Sequence, residues 1–187
     1  MPISRPALLT ADHDVSQFTC QHSALTEWLQ KRALENNAQR GSRTHVVCDG
    51  ARVVGFYALA AGSVEHAKTP KPLTRNMPKP LPAIILGRLA VDTGYQGQGI
   101  GAGLLQDAIY RALNAANAIG ERILLCHAID EAARKFYLKY SFIQSPVEEL
   151  TVMLDLNKVH PLLLRAQEVA LSSTNKKSKN DGKRTHS

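Results

Sequence analysis

The chain has 187 residues and a mass of 20.4 kDa, with 44% hydrophobic and 21% charged residues. That length suits one compact domain, and the balance excludes a mainly disordered chain, a collagen-like fibre and a disulfide-rich miniprotein. The net charge is +7 and the sequence pI is about 9.5, so anionic partners are favoured over cationic ones.

No apolar stretch approaches the roughly 18 residues of a membrane span. The N-terminal residues turn polar and acidic before a signal-peptide core develops, so a cytoplasmic protein is expected. The three cysteines, Cys20, Cys48 and Cys126, form no CxxC, and no Cys/His spacing typical of zinc occurs, so no metal is expected.

In chain order, the spacing predicts a first helix over residues 22–39. Leu25, Trp28, Leu29, Arg32, Ala33 and Asn36 lie on one face, with Ser23 as N-cap and Gly41 as stop. Two strands follow at 44–48 and 53–60, joined by the turn signal Asp49-Gly50. Residues 69–82 carry five prolines among basic residues and read as a loop. A strand at 83–91 leads into DTGYQGQGIGAG and a helix reaching Ala118. Its apolar stripe is Ile100, Leu104, Leu105, Ala108, Ala112, Leu113 and Ala116, closed by Gly120. A strand at 122–127, a helix at 131–140 capped by Asp130, and a last strand at 152–156 complete the pattern. Strands interleaved with helices argue for one α/β domain over residues 1–160. Residues 161–187 form a C-terminal extension, expected to be disordered from about 172. The last sixteen residues hold four of the seven net positive charges. They either add attraction to phosphates or serve as a solubilising end or a cloning remnant.

One constellation stands well above background. Gln96-Gly97-Gln98-Gly99-Ile100-Gly101 sits where a strand ends and a helix begins. Amides at a helix N-terminus have no internal partner and carry partial positive charge, and glycines let a phosphate approach them. A Rossmann fingerprint would need GxGxxG and a later acid, and a P-loop would need Gly-Lys-Ser/Thr; neither is present. The pattern Q/R-x-x-G-x-G/A fits.

The run LGRLAVDTGYQGQGIGAGLLQDA resembles motif A of the Gcn5-related N-acetyltransferases (GNAT), and KFYLKYSF resembles that family's F-Y-x-x-x-G-F at Phe136, Tyr137 and Phe142. Ser141 stands where glycine is usual, which predicts a differently shaped turn. With FTCQHSALTEWLQKRALENN, SRTHVVCDGARVVGFYALAAGSV and CHAIDEAARKFYLKYSFIQSP, the chain from about Phe18 to Leu156 is similar to the acetyltransferase toxins of bacterial toxin–antitoxin pairs (TacT-like). The resemblance implies the GNAT fold, a mixed central sheet flanked by helices, and acetyl-CoA as co-substrate. It implies that Leu89, Ala90 and Val91 offer backbone groups to the pantetheine arm and thioester. Gln96, Gly97, Gln98, Gly99, Ile100, Gly101 and Ala102 then hold the pyrophosphate, with Phe136 beside them.

The same resemblance makes Tyr137 the general acid for the departing thiolate, the alternative being simple packing beside Phe136. No carboxylate stands out as a base; Glu65 and Asp92 qualify by location only and read as solvated. An α-amine, with a pKa near 7.7–8.0 that an adjacent ester lowers, needs none. Aminoacyl-tRNA offers such an amine, and the toxin branch implies it as acceptor, with translation blocked. Arg88, Lys31 and Arg32 are then the expected tRNA contacts, alongside basic residues of the proline-rich loop; a solvated face is the plainer alternative for the lysines. A ribbon-helix-helix antitoxin and a homodimer are implied by resemblance alone. An ordinary GNAT enzyme acting on a small amine or a protein N-terminus, and a binding module that has lost the chemistry, are the rival expectations. Adjacent strand residues Cys126 and His127 should face opposite ways, which argues against a nucleophilic dyad.

Overall fold

The computed structural model describes residues 2–159, so the predicted C-terminal extension lies outside the described residues. Within residues 2–156 a seven-stranded sheet runs β1-β2-β3-β4-β5-β7-β6. Strands β1 (Ala7–Leu8), β2 (Arg43–Asp49), β3 (Arg52–Val64) and β4 (Leu81–Val91) pair antiparallel in succession. Strand β5 (Ile123–His127) lies parallel to β4, and β7 (Thr151–Asp155) and β6 (Ile143–Gln144) complete the antiparallel far side. The mixed sheet expected from the sequence is therefore present. The two-residue edge strands β1 and β6 lack a periodic signal and were not expected.

The residues between 22 and 39 form two helices, α1 (Ser23–Lys31) and α2 (Ala33–Ala38), broken at Arg32. The predicted single helix gives way to a tertiary requirement. Buried Asn37 donates to the Leu9 carbonyl at 3.2 Å and accepts from the Thr44 amide at 2.8 Å, tying α2 to both β1 and β2. Ser23 is the first helical residue, and His22 takes the cap position without a side-chain capping bond. The stop also differs by one residue. Arg40 takes the left-handed conformation (φ 60°), and the Gly41 amide closes on the Asn36 carbonyl at 3.0 Å. Gly41 is needed for room, since a Cβ there would stand 3.0 Å from the Asn36 side chain.

The proline-rich stretch contains a short helix, α3 (Lys71–Thr74), and its last proline belongs to β4. Pro82 pairs only with Ser63 of β3, because the β5 ladder starts at Ala83, so its missing N–H leaves no gap there. The long helix α4 (Ile100–Ile119) has the predicted buried stripe and ends on left-handed Gly120, whose N–H reaches the Ala116 carbonyl at 2.8 Å. In α5 (Glu131–Leu138) the Asp130 side chain caps the Ala133 amide at 2.7 Å, as expected.

Helices α1 and α2 cover one face of the sheet, where Leu29 and Ala33 join Phe18, Val46 and Phe56. On the other face Ile100 and Leu104 of α4 press onto β3 at Gly55, where a Cβ would stand 3.0 Å from Leu104. Ser141, after α5, adopts φ 68°. The serine takes the left-handed conformation that a glycine would adopt without strain.

Candidate active site

Strands β4 and β5 stay paired only as far as Leu86 and Cys126. Between Arg88 and Leu86 the β3–β4 register shifts by one residue, leaving Gly87 as a bulge. Beyond it β4 continues along β3 to Val91, while β5 ends at His127. The edge of β4 from Arg88 to Val91 thereby leaves the β5 ladder and borders a cleft.

The cleft has two contiguous arms of about 370 and 310 Å3 that share Leu25, Leu89, Ile129 and Ala133. The first arm is bounded by Leu89, Ala90, Val91, Gln96, Gly101 and Phe136. At its end the glycine turn presents the N-terminus of α4. Gly97 and Gly99 both have left-handed φ (76° and 79°), and a Cβ at either would meet nothing within 4 Å. Gly99 makes no side-chain cap, and the first bond of the helical ladder there is Gly103 to Gly99. The first-turn amides, those of Ile100, Gly101 and Ala102, therefore point outward over open space. Ile100 turns its side chain inward against β3, anchoring the turn. The Gln96 side chain donates to the Val91 carbonyl at 3.3 Å, so it ties turn to strand. Gln98 is exposed.

Asp92 holds this turn from below and is not solvated. It is 1% exposed, accepts from the Thr19 and Gly94 amides at 3.0 and 2.9 Å, and pairs with Arg52 at 3.3 Å. Arg52 in turn lies over the Tyr95 ring, and the Tyr95 hydroxyl donates to Asp49 at 2.8 Å. Glu65 is exposed and lines neither arm.

The second arm brings together Arg88, Cys126, His127 and Tyr137. Tyr137 is 5% exposed; burial first, then the hydrogen-bonding Cys126 side chain, hold its hydroxyl well above the ordinary tyrosine range. Burial pushes the Cys126 thiol up to about 11, so it stays protonated. Cys126 is buried while His127 is exposed and bonds Thr151 at 2.8 Å, in keeping with side chains on opposite faces. Among the described residues Arg88 pairs with no acid. Its guanidinium lies 4.1 Å from the centre of the Trp28 ring, which stacks on Phe56. Lys31 and Arg32 lie outside both arms at the exposed end of α1, Lys31 facing Glu27 at 3.9 Å.

Sequence reasoning missed the pair that joins the cleft walls. His22, ahead of α1, meets Asp130, ahead of α5, at 2.8 Å, and both line the first arm. Asp130 was legible as a cap, but nothing in the pattern links it to a histidine 108 positions away. Trp28 was legible only as a member of an apolar stripe.

A third cavity, of about 450 Å3, lies beside the C-terminal half of α4, lined by His45, Leu59 and Arg111 among others, and contains neither the glycine turn nor Tyr137. Among the described residues no group of histidines, cysteines or acids could hold a metal ion, and no helix is long and apolar enough to cross a membrane.

Residues 40–144 match the model of the acetyltransferase (GNAT) domain. The chain belongs to the GNAT acetyltransferase family. The acetyltransferase is 47% identical over 160 residues to a tRNA-acetylating toxin of Mycobacterium tuberculosis (strain ATCC 25618 / H37Rv), a match covering 86% of this chain and 96% of the relative. Among solved structures it is similar to AtaT complexed with acetyl-methionyl-tRNAfMet (TM-score 0.79, 29% identity, 86% of this chain and 99% of that one). It is likewise similar to a tyrosine-to-phenylalanine mutant of the AtaT toxin bound to the C-terminus of the antitoxin AtaR and acetyl-CoA (TM-score 0.73, 28% identity, 87% and 98%).

Proposed function

We propose that this acetyltransferase moves the acetyl group of acetyl-CoA to the α-amine of aminoacyl-tRNA, and so acts as a translation-blocking toxin. The observation that carries the reading is the single cleft that runs from bare helix-terminal amides, along an unpaired strand edge, to a buried tyrosine. The chemistry of its first arm suits acetyl-CoA. Outward amides and missing Cβ atoms suit a pyrophosphate, and the free edge of Leu89, Ala90 and Val91 suits the amides of a pantetheine arm. Acetyl-CoA supplies an activated thioester. A β4 amide facing the thioester oxygen would stabilise the charge that develops there.

Tyr137 then acts as general acid. As the amine nitrogen bonds to the acetyl carbon and the carbon–sulfur bond breaks, the Tyr137 hydroxyl gives its proton to sulfur, and the proton shed by the amine restores the phenol. A raised tyrosine value keeps that hydroxyl protonated before transfer and makes it a weak donor until charge appears on sulfur. Lys31 and Arg32, outside the cleft, would meet the phosphates of the RNA, and Arg88 would stand inside it beside the aminoacyl end. The partner that restrains the toxin is an antitoxin, for which the ribbon-helix-helix type remains our expectation; the enzyme is expected to act as a homodimer in the cytoplasm. The AtaT complexes with acetylated tRNA, antitoxin and acetyl-CoA support this assignment.

The deciding measurement is transfer of radiolabelled acetyl from acetyl-CoA to a bulk charged tRNA pool, with deacylated tRNA and mixed small amines alongside. Label on charged tRNA alone is expected. Label on small amines alone would make this an ordinary metabolic acetyltransferase.

A further inference from the structure

Among the described residues the second arm is lined by an arginine and by no carboxylate. Its walls are Ala24 and Leu25 of α1, Gly87, Arg88 and Leu89 of β4, Cys126 and His127 of β5, Ile129 and, from α5, Ala133 and Tyr137. Across the β3 ladder Arg88 faces Ala58. The acids nearest in sequence to these walls are engaged elsewhere. Glu27 of α1 faces Lys31, Asp130 is held by His22 and by the α5 cap in the other arm, Glu131 pairs with Arg134, and Glu148, which reaches His127 through Thr151, pairs with Lys68 at 2.8 Å. Burial holds the Cys126 thiol and the Tyr137 hydroxyl above their ordinary values, so neither supplies negative charge at neutral pH, and His127 bonds Thr151, which donates to Glu148. Arg88 is also held in place: its guanidinium stacks on Trp28, and Trp28 lies nearly parallel to buried Phe56, ring centres 6.1 Å apart. Stacking engages the face of the guanidinium, and among the described residues no acid pairs with its N–H edge.

An acetyl acceptor must enter this arm as a free amine, because an ammonium has no lone pair. The usual device is a carboxylate or histidine base that takes the proton. A fixed like charge does the same work by a different route, since it disfavours the protonated form of a neighbouring amine. We propose that Arg88, clamped on Trp28, is an electrostatic filter that keeps the acceptor amine uncharged in the cleft and turns away acceptors bearing a second cation close to that amine. This role rests on the reading above that the α-amine of aminoacyl-tRNA enters the second arm. It narrows the acceptor class to aminoacyl esters with uncharged or acidic side chains; lysyl and arginyl esters, lysine side chains of proteins and polyamines are poor substrates.

The test compares the full-length enzyme with Arg88→Met, Arg88→Gln and Arg88→Lys, using acetyl-CoA and tRNA charged separately with alanine, leucine, lysine or arginine, in single-turnover assays from pH 5.5 to 8.5. Binding of acetyl-CoA, measured by calorimetry, shows that each variant retains its fold. In the wild type, alanyl- and leucyl-tRNA are expected to react at least tenfold faster than lysyl- and arginyl-tRNA. In Arg88→Met or Arg88→Gln the acid limb of the rate profile moves up by about one pH unit, and the discrimination falls toward unity. Arg88→Lys restores both toward the wild type, because the charge matters more than the fork. An unmoved acid limb with discrimination retained in the neutral variants, and only a uniform rise in KM for tRNA, overturns the filter and leaves Arg88 as a phosphate or packing contact. Absence of label on every charged tRNA by the wild type overturns the acceptor assignment itself, which the unmoved limb does not.

Discussion

The two arms of the cleft are built on opposite plans. The first offers its ligand backbone groups, the strand edge from Leu89 to Val91 and the helix-terminal amides after Gly99, beside the His22–Asp130 pair. The second depends on side chains from distant parts of the chain, namely Arg88, Cys126 and Tyr137, with Trp28 stacked on the arginine. A backbone site reads any molecule with phosphates and amides at the right spacing, which suits a carrier shared by many enzymes. A side-chain site can be re-lettered one residue at a time, so selectivity for the acceptor belongs there.

The sharpest way to separate the arms is Tyr137→Phe. The transfer rate is expected to fall by about 10²- to 10⁴-fold, while the dissociation constant for acetyl-CoA in calorimetry stays within about twofold. A large loss of acetyl-CoA affinity would show that the arms are not independent. Gly99→Val attacks the other side. A β-branched residue is strongly disfavoured at φ 79°, so the turn must rearrange. Acetyl-CoA affinity is expected to drop tenfold or more, with the ranking of charged tRNAs unchanged.

A region outside both arms gives the contrast a baseline. His45 is 7% exposed, stacks on Tyr57, and has a ring nitrogen without a partner. Burial first, then Arg111, lower it from 6.5 to about 4, against the pull of Asp107. The unfolded chain therefore takes up a proton below pH 6.5 that the folded chain refuses until about pH 4. Stability is lost as pH falls through that window, by roughly 2–3 kcal/mol at most. In His45→Phe, which keeps the stacked ring, this part of the acid loss should vanish, as urea unfolding at pH 7 and pH 4.5 will show; acetyl transfer should persist. The smallest effect expected is from Ser141→Gly. Relief of the left-handed serine, offset by glycine's greater freedom when unfolded, should raise stability by less than about 1 kcal/mol in thermal melts.

The same contrast explains what was legible beforehand. The glycine turn announced itself because local backbone demands leave local marks: glycine where φ is positive, a strand before, an apolar stripe after. Tyr137 was found through a motif of neighbours. The break at Arg32 was hidden because its cause, the double bond of Asn37 to β1 and β2, is tertiary. Asp92 was mistaken for a solvated acid for a similar reason, since its partners Thr19 and Arg52 lie 73 and 40 positions away. The Arg88–Trp28 stack joins residues sixty positions apart and has no signature in either segment.

The clasp between His22 and Asp130 also bears on when the enzyme becomes dangerous. One wall of the cleft is supplied by residues 20–25 and the other by residues 126–137, and the His22–Asp130 contact between them spans 108 positions. A growing chain has no closed cleft until nearly the whole domain has left the ribosome, and a prematurely terminated one never acquires Tyr137. If the product attacks the very tRNAs that are building it, its synthesis is shielded by chain order: the ribosome finishes each copy before that copy can act.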